Sequence, residues 1–387
     1  MTTPHDAPRN ILIVTQDFPP ITGGIQTYLF ELARLFHKRG HRVTVICPGS
    51  PGDPSPLPPE IPVHRIRIHS SWLFLPLLFR LPGILRRGRY THVLYAQWQA
   101  VLSESLVPRS RRGHRSLCLV HGRETLRSIF GPFHGFFCRM AFRRVDVGIP
   151  NSRAVLELTR RAGRPAHPLH LVHPAVDPEL FRPAPPEVVA RLRALYGIPV
   201  AAPVILALSR MVPRKNMDGV LRAFPAVLRE FPDARLVLAG DGPERAALGR
   251  LAAELCIVER VIFPGVIRQE PFIREHGASI YSLADVFVMP CHGSEDDVEG
   301  FGIVYLEAGA CEVPVIGSRV GGIPDAVAEG ETGLLVDPAR HGELEAAFLD
   351  LLRRPDRGRS LGVAARRRIV RELTWEATGD KILALMD

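Results

Sequence analysis

Two glutamates, Glu299 and Glu307, stand eight residues apart in the stretch DDVEGFGIVYLEAGACEVPVIGS, on either side of an apolar, glycine-punctuated run. Carboxylates are seldom buried without a partner or a task. Ionised, each accepts hydrogen bonds from hydroxyls such as those of a sugar or a ribose. Gly300 and Gly302 flank Phe301 at the expected start of a helix running through IVYLEAGAC. Glu299 then projects from the loop before that helix, and Glu307 lies one to two turns inside it. The helix mouth offers free amides to a sugar or phosphate. An acid at a helix start is favoured by the dipole alone, which accounts for Glu299 but poorly for a carboxylate at 307 among apolar and small neighbours.

Cations occur in a comparable setting. LSRMVPRKN puts Arg210 and Lys215 after an apolar run, on a loop entering the next helix. Two cations beside a helix mouth make a diphosphate clamp, although solvated loop cations are common. In DFPPITGGIQTY, Gly23-Gly24 lets a ligand approach backbone amides; a tight strand-to-helix turn is the plainer reading of a lone glycine pair. His121 ends a strand-like run in LVHGRE and by itself says little. No GxGxxG and no GxxxxGK[ST] is present, so a nicotinamide dehydrogenase and a phosphate-loop ATPase are poor readings.

The elements that must position these residues alternate along the whole chain. ILIVT (11–15), RVTVIC (42–47), THVLYA (91–96), SLCLVH (116–121) and VDVGIP (145–150) read as buried strands. Amphipathic stretches separate them; in TYLFELARLFHKRG, Tyr28, Leu29, Leu32, Leu35 and Phe36 share one helical face. After the proline-rich Pro178–Glu187 the rhythm restarts with PVILALS, ARLVLAG, RVIFPG, DVFVMP, VPVIGS and TGLLVD. Each half therefore reads as a doubly wound parallel α/β domain that binds ligands beyond the carboxyl ends of its strands. A length of 387 residues suits two such domains.

Six scattered cysteines without a CxxC pair suit reduced thiols and argue against zinc and a disulfide framework. The N-terminus has no apolar signal-like region, and SSWLFLPLLFRLPGIL is broken by Pro76, Arg80 and Pro82. The net charge of +9 is uneven: residues 1–182 hold 25 Lys and Arg against 11 Asp and Glu, a net of +14, and the remainder has a net of −5. A solvated arginine-rich surface explains this, and so does attraction to an anionic membrane or nucleic acid.

Taken together, Glu299-x7-Glu307 in EGFGIVYLEA, GGIQ, HGRE, HPAVDPELFRP, SRMVPRKN, AGDGPE, VPVIGSRVGGIPD and GETGLLVDP resemble glycosyltransferase family 4, and do so over nearly the whole chain. DVEGFGIVYLEA and SRMVPRKN look most similar to bacterial enzymes that mannosylate phosphatidylinositol mannosides. The linker departs from many relatives in reading HPAVD, which puts the local hinge geometry in question.

The resemblance implies a GT-B fold: two doubly wound, Rossmann-like domains facing across a cleft. The acceptor domain would span 1–182, the donor domain 183–372, and a final helix near 373–387 would pack back on the first half. It implies a retaining hexosyltransferase moving mannose from GDP-mannose to a lipid-linked or polyol acceptor. Arg210 and Lys215 would neutralise the donor diphosphate, with Gly24 contacting it from the other domain. Glu299 and the amides of Phe301 and Gly302 would hold the transferring sugar, with Gly300, Ile303 and Val304 also in the donor site. Glu307 would hold the ribose, Val266 and Ile267 would lie near the base, and His121 near the anomeric carbon. Gly23 and Gln26 would face the acceptor. No metal or other cofactor is expected, because protein cations take the diphosphate charge, and Asp296-Asp297 is not a metal clamp in this family. The alternatives are a UDP-sugar hexosyltransferase, an epimerase acting on a nucleotide sugar, and a non-catalytic nucleotide-sugar binder.

SWLFLPLLFRLPGILRRGR, residues 71–89, mixes a tryptophan and many leucines with Arg80, Arg86, Arg87 and Arg89. Such a segment can lie in a lipid interface, or pack its apolar side on the first sheet. The expected partner is an anionic membrane surface, not nucleic acid, for a cytoplasmic protein peripheral to the inner face of the membrane.

Overall fold

The structure, a computed structural model, describes residues 7–19, 23–50, 53, 55–68, 72–108, 110, 112–122, 126, 131–267, 279–294 and 297–387. Two compact units emerge: Met1–Pro174 together with Trp375–Asp387, and Ala175–Thr374.

The first unit is built on strands β1 (Asn10–Val14), β2 (Arg42–Pro48), β3 (Val63–Ile66), β4 (His92–Tyr95), β5 (Arg115–Val120) and β6 (Val147–Pro150). They pair in parallel in the order β3-β2-β1-β4-β5-β6. Ile11 of β1 lies beside Val43 of β2 on one side and His92 of β4 on the other. Ile11 through Val14 are fully buried, as a strand covered on both faces requires. β3 is the strand that periodicity missed. VHRI carries two polar residues in four and is only partly buried, so it has no apolar run to betray it.

The second unit repeats the design with β7 (Val204–Leu208), β8 (Arg235–Ala239), β9 (Val261–Gly265), β10 (Val286–Val288), β11 (Val315–Ser318) and β12 (Gly333–Val336). Their order, β12-β11-β10-β7-β8-β9, is the same winding. In both sheets the strand order reverses beside the first strand, between β1 and β4 and between β7 and β10. That is where ligands of doubly wound sheets bind.

The unit boundary falls at Pro174/Ala175, earlier than the expected break at 182/183. Val176 donates its amide to the Leu373 carbonyl at 3.0 Å and bridges Thr374, and Val176 and Phe181 are buried in the core of the second unit. The unit boundary thus falls inside HPAVD, with Ala175, Val176 and Asp177 in the second unit. The helix Trp375–Ala384 lies in the first unit against the helix Gly24–Lys38, with the Trp375 and Tyr28 rings 5.5 Å apart.

The segment 71–89 forms the helix Phe74–Gly88, Ser71 lying outside the described residues. Leu73, Phe74, Leu77 and Leu81 are buried with the apolar core of the first sheet. Trp72, Leu75 and Phe79 are exposed at 44%, 41% and 75%. Leu75 and Phe79, four apart, share one helical face, and Trp72 sits just before the helix. Packing on the sheet and an exposed apolar stripe therefore coexist. Among the described residues, no helix is long and apolar enough to cross a membrane.

Candidate active site

In the second unit, Arg210 and Lys215 follow β7, and Glu299 follows β10, the strand hydrogen-bonded to β7. The topology alone thus brings residues some 85 positions apart to one sheet edge. Direct bonds knit the two loops. Asn216 Nδ2 donates to the Pro290 carbonyl at 3.0 Å, and the His292 amide donates to the Arg214 carbonyl at 2.8 Å. Asn216 also caps the helix Met217–Glu230 by accepting from the Gly219 amide. Lys215 is therefore held at the end of a short 3-10 turn, Pro213–Lys215, with its ammonium directed toward the β10 loop.

Glu299 is the centre of the cluster. Its Oε2 accepts from Lys215 Nζ at 2.7 Å and from Arg214 Nη1, and the Cys291 thiol lies 3.8 Å away. Arg214 Nε is 3.2 Å from Asp297 Oδ2. Burial alone would raise the Glu299 carboxyl; Lys215 and then Arg214 outweigh it and hold the group below the usual carboxylate range. The carboxylate stays ionised and is ready to accept hydroxyls.

Two glycines shape the surroundings. Gly302, with φ +90°, precedes the helix Ile303–Ala310, whose N-terminus carries no side-chain cap. A side chain there would meet the Tyr305 ring. Gly321, with φ +58°, sits so close to the Glu299 carbonyl that a Cβ would collide with it, and the neighbouring Gly322 amide donates to that carbonyl at 2.9 Å. The VGGIP turn after β11 is thus the backrest of Glu299. Phe301 is buried, anchoring the turn from below.

Glu307 is buried in the helix Ile303–Ala310, where it accepts a hydrogen bond from the Tyr281 hydroxyl. Burial pushes its carboxyl from an ordinary 4.5 up to about 7, with the tyrosine bond opposing the rise. Arg210 is exposed, and among the described residues its guanidinium has no partner. Val266 and Ile267 directly follow β9, Val266 being 61% exposed and Ile267 packed on the core. In this unit, the structure gathers Arg214, Lys215, Asp297, Glu299 and the helix mouth; Glu307 and Tyr281 form a separate buried pair. Asp296 lies outside the described residues.

In the first unit His121 follows β5, with its ring edge-on to Tyr28 at 5.8 Å. Gly23 and Gly24 are exposed at the start of the helix Gly24–Lys38, and Gln26 is buried one turn in, its amide against Gly23. Gln97, after β4, donates to Asp17, after β1, at 2.8 Å, which ties the two strand ends at the switch point. The residues 123–124 of HGRE lie outside the described ones.

Sequence reasoning passed over Arg214, Tyr281 and Gly321. Arg214 stood in view inside PRK, but its carboxylate partner is distant in the chain. Gly321 was signalled only by a glycine pair after a strand.

Two doubly wound parallel units, one with a carboxylate–cation cluster at its switch point beside an open helix N-terminus, define a glycosyltransferase of the GT-B class. Residues 22–180 match Glycosyltransferase Family 4, and residues 189–368 match the glycosyl transferases group 1 family. The chain is 35% identical to a GDP-mannose-dependent alpha-(1-6)-phosphatidylinositol monomannoside mannosyltransferase of Mycolicibacterium smegmatis, over 97% of this chain and 98% of that one. It is 29% identical to a GDP-mannose-dependent monoacylated alpha-(1-6)-phosphatidylinositol monomannoside mannosyltransferase of Corynebacterium glutamicum, over 98% of each. Among solved structures, sucrose-phosphate synthase of Thermosynechococcus elongatus superposes with a TM-score of 0.81 at 25% identity, over 97% of this chain and 98% of that one. The chain belongs to glycosyltransferase family 4, and its activity is hexosyl transfer.

Proposed function

We propose that the chain transfers mannose from GDP-mannose, with retention of configuration, to a hydroxyl of a phosphatidylinositol-mannoside type of lipid. The observation that carries this reading is the Lys215–Glu299 pair at the uncapped mouth of the helix Ile303–Ala310. Both cations on Glu299 meet Oε2, which leaves Oε1 to accept a sugar hydroxyl. Arg210 and Lys215 take the diphosphate, the Phe301 and Gly302 amides and Glu299 the mannose, Glu307 the ribose, and Val266 and Ile267 the base. From the first unit, His121, Gly23, Gly24 and Gln26 keep the roles that family membership implies. The bond from the anomeric carbon to the diphosphate oxygen breaks, a bond to the acceptor oxygen forms on the same face, and the acceptor proton passes to the departing diphosphate. The lysine and arginine stabilise that developing charge, so the reaction needs no divalent metal.

The lipid acceptor is reached, on this reading, by peripheral docking to an anionic membrane. Trp72, Leu75 and Phe79 form an exposed apolar stripe, and Arg80, Arg86, Arg87 and Arg89 are exposed on the same helix or just beyond its end. Each cation near an anionic leaflet contributes about 1 kcal/mol, and the apolar stripe adds interfacial burial. The same face lies within residues 1–182, which carry the net +14.

The test is a donor panel of GDP-mannose, UDP-glucose and UDP-N-acetylglucosamine in EDTA, with and without phosphatidylinositol-mannoside vesicles. GDP release from GDP-mannose that depends on the lipid, with a product one hexose heavier, is expected. Turnover with a UDP-sugar alone overturns the donor, and equal transfer to a small soluble polyol overturns the acceptor.

A further inference from the structure

Glu299 has two cationic partners on one oxygen, and one of them is claimed twice. Lys215 pairs with Glu299, yet on the reading above it must also meet the diphosphate. A lysine on a flexible stem makes such an exchange easily, whereas the planar guanidinium of arginine holds fixed angles. Arg214 is held at both ends: its carbonyl accepts the His292 amide at 2.8 Å, and its Nε reaches Asp297 at 3.2 Å while Nη1 grips Glu299. It thereby staples residues 297 and 299 of the β10 loop to the β7 loop. Its side chain is only 20% exposed.

We propose that Arg214 is a positioning residue, which keeps the Glu299 carboxylate charged and aimed at the transferring sugar once Lys215 has moved to the diphosphate. The proposal deepens the function given above and rests on it. The charged or titratable groups facing Glu299 are Arg214, Lys215, the Cys291 thiol and Tyr305, whose hydroxyl is given to the Met289 carbonyl. With Lys215 displaced, Arg214 is the one cation among them that remains, so its loss exposes the carboxylate to the full penalty of burial.

The experiment compares the wild type with Arg214→Gln and Arg214→Lys, by calorimetry with GDP and by pH profiles of kcat at saturating donor. GDP affinity should stay within about threefold of wild type, because the diphosphate ligands are untouched. In Arg214→Gln, kcat should fall about 10- to 100-fold, for loss of a charge-assisted bond. The acid limb of kcat, which reports the donor-bound enzyme in which Lys215 has moved, should shift up by about one pH unit as the carboxyl protonates more readily. Arg214→Lys should restore the position of that limb, since it restores the charge. GDP affinity reduced as far as in Lys215→Ala would make Arg214 a diphosphate ligand and overturn the proposal. A uniform loss with an unmoved acid limb would mean a merely structural role and overturn it too. If the wild type instead turns over a UDP-sugar, the donor assignment fails, and the same comparison runs on that donor.

Discussion

Replacing Glu307 by glutamine isolates what burial does to one carboxyl. Its folded pKa is about 7 against an ordinary 4.5. Between those values the folded chain holds a proton that the unfolded chain has released, so stability falls as pH rises. The contribution is fully present below pH 4.5 and lost above pH 7. At 1.36 kcal/mol per unit, the gap amounts to about 3 kcal/mol. Glutamine does not titrate and still accepts from the Tyr281 hydroxyl. Urea unfolding followed by circular dichroism at pH 4.5 and pH 8 should therefore show the variant gaining about 3 kcal/mol on the wild type across that range. Trp72, Trp98 and Trp375 all lie in the first unit, so tryptophan emission follows that unit and would miss the effect. Ribose hydroxyls donate best to an ionised acid, so GDP binding by the wild type should tighten through pH 7, and the variant should lose that dependence. Parallel pH curves for variant and wild type would refute the reasoning: the carboxyl would then be ionised throughout, with the tyrosine bond outweighing burial.

Alanine at Lys215 or Arg210 should weaken GDP binding about tenfold to a hundredfold, the scale of one charge-assisted contact, measured by calorimetry. Glu299→Gln should leave GDP affinity intact and lower kcat, since the proposed function has Glu299 meet the sugar and not the nucleotide. Gly321→Ala forces a side chain against the Glu299 carbonyl at φ +58°; kcat should fall more than GDP affinity, read from kinetics beside calorimetry. Phe79→Glu, with Arg86 and Arg87 changed to glutamate, should abolish co-sedimentation with anionic vesicles at low salt while leaving the melting temperature near wild type. Wild-type binding should itself fade at high salt.

The chain's own periodicity determined its architecture. Eleven apolar runs became strands, because a parallel strand covered on both faces needs every residue apolar, and that is a local property of the sequence. VHRI escaped because an edge strand needs no such run. The glycines at 300 and 302 marked the start of the helix Ile303–Ala310 for the same reason: a helix start is built from adjacent residues. Tertiary structure alone decided the electrostatics. Arg214 and Glu299 meet because β7 and β10 are neighbours in the sheet, and strand order is not written in any one segment. Glu307 is near neutral because helix packing buries it against Tyr281, whereas Glu299, in the same stretch, is ionised because two cations reach it. Residue type is set by the sequence, but the state of charge follows from what surrounds the group in space.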